Sequence, residues 1–158
     1  MPDLDIIFRL GGAAIIGGAI GLNRDLHHKP SGLRTLSLVA LGSALATLAV
    51  SQGTPDPAAL SRVIQGLITG VGFLGAGVII HDSGTNKVHG LTTAASIWIT
   101  ACLGAVCGMG YWGLVATAST MIAFILLTGK RIEKAIHKTL DVTIGPPSPT
   151  PPDPDRVS

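Results

Sequence analysis

Charge is missing from long stretches of this chain, and that constrains the fold more than any other feature. No Lys, Arg, Asp or Glu occurs between Thr35 and Pro55, between Val63 and Ile80, or between Val88 and Gly129. As one helix, the roughly 40 residues of the last run would reach about 60 Å, twice the hydrocarbon core of a bilayer. The run must fold back once, and Gly108-Met109-Gly110 is the expected turn. Only 13% of the 158 residues are charged and the mean hydropathy is +0.53. A soluble domain carries about 25% charged residues. The chain therefore reads as an all-α membrane protein, a bundle of five transmembrane helices.

The spans fall at about 4–23, 34–50, 62–80, 91–107 and 111–128. A short basic amphipathic extension completes a membrane domain over 1–140. It carries Lys130, Arg131, Lys134 and Lys138 among Ile132, Ala135 and Ile136, a pattern suited to an anionic membrane surface. Six prolines between Pro146 and Pro154 make 141–158 an extended, disordered tail. The start, MPDLD, lacks the basic region and cleavage site of a signal peptide.

Orientation follows from the basic residues. With the first loop inside, Arg24, Lys29, Arg34, Lys87, Lys130, Arg131, Lys134 and Lys138 are inside, and only Arg9 and Arg62 flank spans outside. The bias predicts an outside N-terminus and a cytoplasmic C-terminus. Arg9 is expected to snorkel to the interface, and Tyr111 and Trp112 suit its aromatic belt.

Small residues recur on the helix faces. Gly11, Ala14, Gly18 and Gly21 mark one face of the first span, and Ala40, Ala44, Thr47 and Ser51 one face of the second. The third span carries Gln65, Thr69, Gly72 and Ala76 on one face, with the GxxxG pair Gly66 and Gly70 beside it and Gly75 and Gly77 further on. In the fourth, Thr92, Ser96, Thr100, Gly104 and Gly108 recur every four residues. Each interior glycine costs a helix roughly 1 kcal/mol against alanine. In lipid, small residues let two helix backbones approach. Spans three and four are thus expected to be the tightest pair, glycine face against hydroxyl face.

Candidate chemistry is sparse. Asp25 and Asp82 lie where apolar segments meet the inner interface, and carboxylates there can bind a hard cation such as Mg²⁺. The preferred reading pairs them with Arg34, Arg24 or Lys87 to fix the loops. The hydroxyls of Thr92, Thr93, Ser96 and Thr100 could line a polar cavity with Gln65 and Thr69. Bonding back to the helix or across to a neighbour is the preferred reading. His27 and His28 read as solvated loop histidines rather than a pH sensor or metal site. Cys102 and Cys107 point about 140° apart on one helix and read as packing residues. No GxSxG, HExxH or phosphate-loop pattern occurs, and His81 and His89 are the only bases near span four. The chain is expected to be no enzyme, to require no cofactor, with Mg²⁺ the one candidate, and to bind no nucleic acid.

Four blocks, GLNRD at 21–25, KPSGLRT at 29–35, QGLITGVGFLGAGVI at 65–79 and VHGLTTAASIW at 88–98, resemble the MgtC/SapB family of bacterial inner-membrane proteins. The likeness covers about residues 6–128. It carries over Arg24, Asp25, Gly32, Arg34, Thr35, Gln65, Gly70, Gly72, Gly75, Gly77, Asp82, Gly90, Thr92, Thr93 and Trp98. The family usually has Glu where this chain has Asn23, and often Glu where it has Asp25, which weakens a cation site there. Longer members add a soluble C-terminal domain, in whose place this chain has the basic helix and proline tail. The resemblance implies adaptation to low magnesium and, in pathogens, survival inside host cells. The route would be Mg²⁺ transport or, as the preferred reading, regulation of other inner-membrane proteins, the F-type ATP synthase among them. The small-residue stripes also suit a homo-oligomer.

Overall fold

The fourth span forms the most enclosed helix of the bundle. The structure is a computed structural model. It describes residues 3–52, 56–82 and 87–143, with the side chains of 80–82, 87 and 130–143 excepted. Five helices are long and apolar enough to cross a membrane: α1 (Asp3–Asp25), α2 (Leu33–Ser51), α3 (Pro57–Gly77), α4 (Leu91–Met109) and α5 (Trp112–Thr143), the last through its Trp112–Gly129 portion. A two-stranded hairpin, β1 (Ile80–Asp82) and β2 (Lys87–His89), joins α3 to α4, with Ile80 opposite His89 and Asp82 opposite Lys87.

The chain divides into two units, Met1–Met121 and Ile122–Ser158. The first holds α1 to α4 and the opening turns of α5. The second continues α5 through the basic stretch to Thr143. The proline-rich tail from 144 onward lies outside the described residues.

Helix ends follow local chemistry. The α3 helix begins at Pro57 rather than near 62, because Asp56 Oδ1 accepts from the backbone N–H groups of Ala58 and Ala59 at 2.9 and 3.1 Å. That is an N-cap with proline in the first turn. The same helix stops at Gly77, since the following Ile79-Ile80-His81 stretch leads into the hairpin ladder. The turn after α4 centres on Gly110, whose φ of 79° is left-handed. Gly108, expected in that turn, lies inside α4 and is buried.

The small-residue stripes meet in an unexpected pairing. The α4 stripe packs on α2: a Cβ at Gly104 would collide with the Ala40 carbonyl, and one at Gly108 with the Ala44 carbonyl and Thr47 Oγ1. The α1 helix also packs on α2, through Gly17, Gly18 and Gly21; of the expected α1 face Gly18 and Gly21 are buried there and Gly11 is not. A Cβ at Gly17 would lie 2.7 Å from Ala40 Cβ, whereas Gly11 faces open space. Ala13, Ala40, Ala44, Cys107 and Val115 form the core of this arrangement.

Span three is therefore not the tightest part. Buried residues make up 56% of the apolar window of α4 but 11% of that of α3. Of the α3 glycines only Gly75 touches a neighbour, with a would-be Cβ at 3.5 Å from Ala94. Gly66, Gly70, Gly72 and Gly77 have open space above them, and Gln65 and Thr69 are exposed. The reason is occupancy: the small face of α4 is already taken by α2. The edge left for α3 carries Trp98 and Cys102, and a wholly apolar cavity of about 190 Å³ remains between the two helices.

Gly104→Leu and Gly70→Ala separate these readings. Overpacking a backbone-to-backbone contact costs about 1–3 kcal/mol or more, so Gly104→Leu should lower the unfolding temperature in detergent, followed by circular dichroism. Gly70→Ala should leave it unchanged or raise it. The reverse ranking would mean that α3, not α2, packs on α4.

Candidate functional site

Three of the four sequence blocks converge on one side chain. Arg24 sits in the last turn of α1 and is only 4% exposed. Its Nε donates to the carbonyls of Pro30 (3.1 Å) and Ser31 (3.3 Å), and Nη2 donates to Pro30 again at 2.8 Å. Across the bundle, Nη2 donates to Thr93 Oγ1 at 2.6 Å and Nη1 to Ser96 Oγ at 3.0 Å. Ser96 passes the chain on, donating to the Thr92 carbonyl at 2.7 Å. A guanidinium suits this role because its planar fork can address several acceptors at once. Neither ion pair found among the described residues involves Arg24. Its bonded acceptors are neutral hydroxyl and carbonyl dipoles.

The next residue turns the other way. Asp25 Oδ2 accepts from the Leu33 N–H at 2.8 Å, giving the start of α2 the acceptor that its N-cap Gly32 lacks. Gly32 is needed there, since a Cβ would overlap the Asp25 carboxylate. The loop between them is tightly wound. His28 and Ser31 hold left-handed φ values of 51° and 62°, and Lys29 N–H donates to the Arg24 carbonyl at 3.1 Å. Arg24 and Asp25 thus pin the loop from both sides. At the far end of the hairpin, Gly90 starts α4 with φ of 92°, and a Cβ there would collide with the Val78 carbonyl. Only glycine meets both demands.

The remaining candidates are scattered. Asp25 forms no ion pair with Arg24 or Arg34 among the described residues; its described partner is a backbone amide. The side chain of Asp82 lies outside the described residues. Arg34 and Thr35 are exposed and border a groove between α2 and α3. Thr69 donates back to the Gln65 carbonyl at 2.9 Å. Thr92 is exposed, and Trp98 is half-exposed beside the apolar cavity. Thr100 is fully buried with its hydroxyl unpartnered. Within the hydroxyl row, Thr93 and Ser96 are held by Arg24.

Two contacts were not foreseen. Arg9 does not simply snorkel. Its Nη1 donates to the Gly108 carbonyl at 3.0 Å, placing positive charge at the C-terminal end of α4, where the helix dipole favours it. Its Nε lies 2.9 Å from Asp5 Oδ2, close enough for an ion pair but without hydrogen-bond alignment. Thr47 Oγ1 reaches across to the Ala105 carbonyl at 3.0 Å. A threonine in a row of alanines was the available signal for the second; nothing in the local sequence marks the partner of Arg9.

Among the described residues, the oxygens around Arg24 and Asp25 are not arranged to hold Mg²⁺. That ion prefers several hard oxygens in octahedral array. Here the Asp25 carboxylate is engaged by Leu33, and the Pro30 and Ser31 carbonyls are engaged by a guanidinium that would repel a cation. No three His, Cys, Asp or Glu side chains gather among the described residues.

Five apolar helices joined by short connections define a multi-pass membrane protein in contact with the lipid bilayer. The family model of the MgtC family matches residues 10–135, and the chain belongs to that family. It is 47% identical over 145 residues to Protein SrpB of Synechococcus elongatus, covering 83% of this chain and 78% of the relative. It is 39% identical over 153 residues to the putative magnesium transporter YhiD of Escherichia coli, covering 89% of this chain and 70% of the relative. Protein MgtC of Brucella abortus is 41% identical over 117 residues; the match covers 74% of this chain but only 47% of that protein. No solved structure matches the chain.

Arg24→Ala strands two hydroxyls and two carbonyls, and should destabilise the protein by about 3 kcal/mol in denaturant titrations in micelles. Arg24→Lys should recover little, because an ammonium cannot span acceptors on the loop and on α4 together. Asp25→Asn keeps an acceptor for Leu33 and should lose less than about 1 kcal/mol; a collapse of Asp25→Asn would show that the charge itself is needed.

Proposed function

We propose that this chain is a non-enzymatic inner-membrane protein that supports adaptation to low magnesium by regulating other membrane proteins. Its proposed orientation has the N-terminus outside and the Arg24 end of the bundle in the cytoplasmic leaflet, as the basic-residue bias favours. The link to magnesium rests on family membership and on the name of the Escherichia coli relative. The observation that carries the regulatory reading is the chemistry of the buried polar cluster. A buried guanidinium, not a carboxylate, lies at the centre of this cluster, and it binds the hydroxyls of Thr93 and Ser96 that a polar pathway would use. A fixed positive charge opposes the entry of a divalent cation.

The exposed face of α3 adds support. Gly66, Gly70 and Gly77 lie on one side of their helix and weaken it, yet pack against nothing among the described residues. In lipid such a face suits close association with another helix. The second reading is Mg²⁺ transport, which the name of the Escherichia coli relative favours.

Purified protein in proteoliposomes loaded with a Mg²⁺ indicator distinguishes the two. We expect no flux above empty vesicles, together with a membrane protein that co-purifies from cells grown at low Mg²⁺. Mg²⁺ uptake that disappears in both Asp25→Ala and Asp82→Ala would overturn the regulatory reading.

A further inference from the structure

The groove between α2 and α3 has a layout that neither helix packing nor the Arg24 cluster uses. It is an open groove of about 650 Å³. One end is framed by Arg34 and Thr35, both exposed, in the first turn of α2. Below them the walls are dry: Leu38, Val39 and Gly42 from α2 face Val71 and Leu74 from α3. The far end is reached at Ser43. The nine helical rises from Arg34 to Ser43 cover about 14 Å, close to the depth of one leaflet of hydrocarbon.

We infer that this groove holds an acyl chain of an anionic phospholipid whose phosphate rests on Arg34. The match is one of charge and length together. A phospholipid carries negative charge at one end and about 15 Å of apolar chain beyond it, and the groove carries the complementary cation and the complementary wall. Arg34 belongs to the basic end of the bundle, with Arg24 and Lys29, where the sequence bias places the anionic leaflet. Neither ion pair among the described residues involves Arg34. A partner helix is a poorer occupant. Close helix docking needs small residues along the contact, and between Thr35 at one end and Gly42 and Ser43 at the other the walls are leucine and valine. The open glycines of α3 lie outside the residues that line this groove.

Gly42 offers a clean test, because a Cβ there meets nothing within 4 Å. Gly42→Leu should fill the groove without disturbing the bundle. The full chain, purified in detergent, would be exposed to vesicles of equal phosphatidylglycerol and phosphatidylcholine, and the retained lipid counted by native mass spectrometry. Wild type should retain phosphatidylglycerol over phosphatidylcholine by about fivefold, the preference that one basic residue at the surface can give. Arg34→Gln should bring the ratio close to one, Arg34→Lys should keep most of it, and Gly42→Leu should lose the retained lipid while its circular dichroism is unchanged. Equal retention of the two lipids by wild type would overturn the inference. So would undiminished phosphatidylglycerol on Gly42→Leu, or cross-linking of a second copy through residues 38 and 71.

Discussion

The close approach of α2 and α4 is the contact on which the rest of the bundle depends. In lipid no hydrophobic force draws helices together, so association rests on packing and on hydrogen bonds. Gly104 and Gly108 let α4 lie directly on the Ala40 and Ala44 backbone, and Thr47 adds a hydrogen bond across the same seam to Ala105. Gly17 and Gly21 of α1 also pack on α2, with Ala40 shared between the two contacts, so one helix organises two close interfaces. Every other helix takes the surface these contacts leave.

Arginines secure α1 to α4 at both ends. Arg24 reaches Thr93 and Ser96 near the start of α4, and Arg9 reaches the Gly108 carbonyl near its end. The two helices therefore run antiparallel. The ends differ in chemistry. Arg9 meets the negative pole of a helix dipole and a nearby aspartate, whereas Arg24 is enclosed by neutral oxygens and also holds the loop between α1 and α2. Burying a charge this way is expensive unless its donors are well satisfied. The dense set of acceptors around Arg24 meets that condition, and it ties the shape of the loop at this end of the bundle to the position of α4.

The third helix stands apart from this logic. Among its glycines only Gly75 meets a neighbour, Ala94, and the helix borders an apolar cavity on its α4 side and an open groove on its α2 side. A helix rich in unpacked glycine is weak by its own propensity. Its outward face and its two flanking clefts are where lipid or other membrane proteins have room to act.

Long apolar segments, turn residues between them and the four family blocks were enough to read the helix count and the class of protein from the chain alone, because both depend on local composition and spacing. The stripes on α2 and α4 were legible for the same reason. Their pairing was not. A row of small residues says that a face can be approached closely but not by which neighbour, and glycine looks alike whether it is packed, as Gly104 is, or open, as Gly70 is. Likewise Arg24 and Asp25 are adjacent in sequence and looked like one inner-face cluster. The last turn of α1 sends one into the bundle and the other to the backbone of α2. Composition and periodicity are local properties and determine elements. Which face meets which, and whether a charge is buried or solvated, is decided by competition among all the helices for the same surfaces, and that is settled only when the chain is folded.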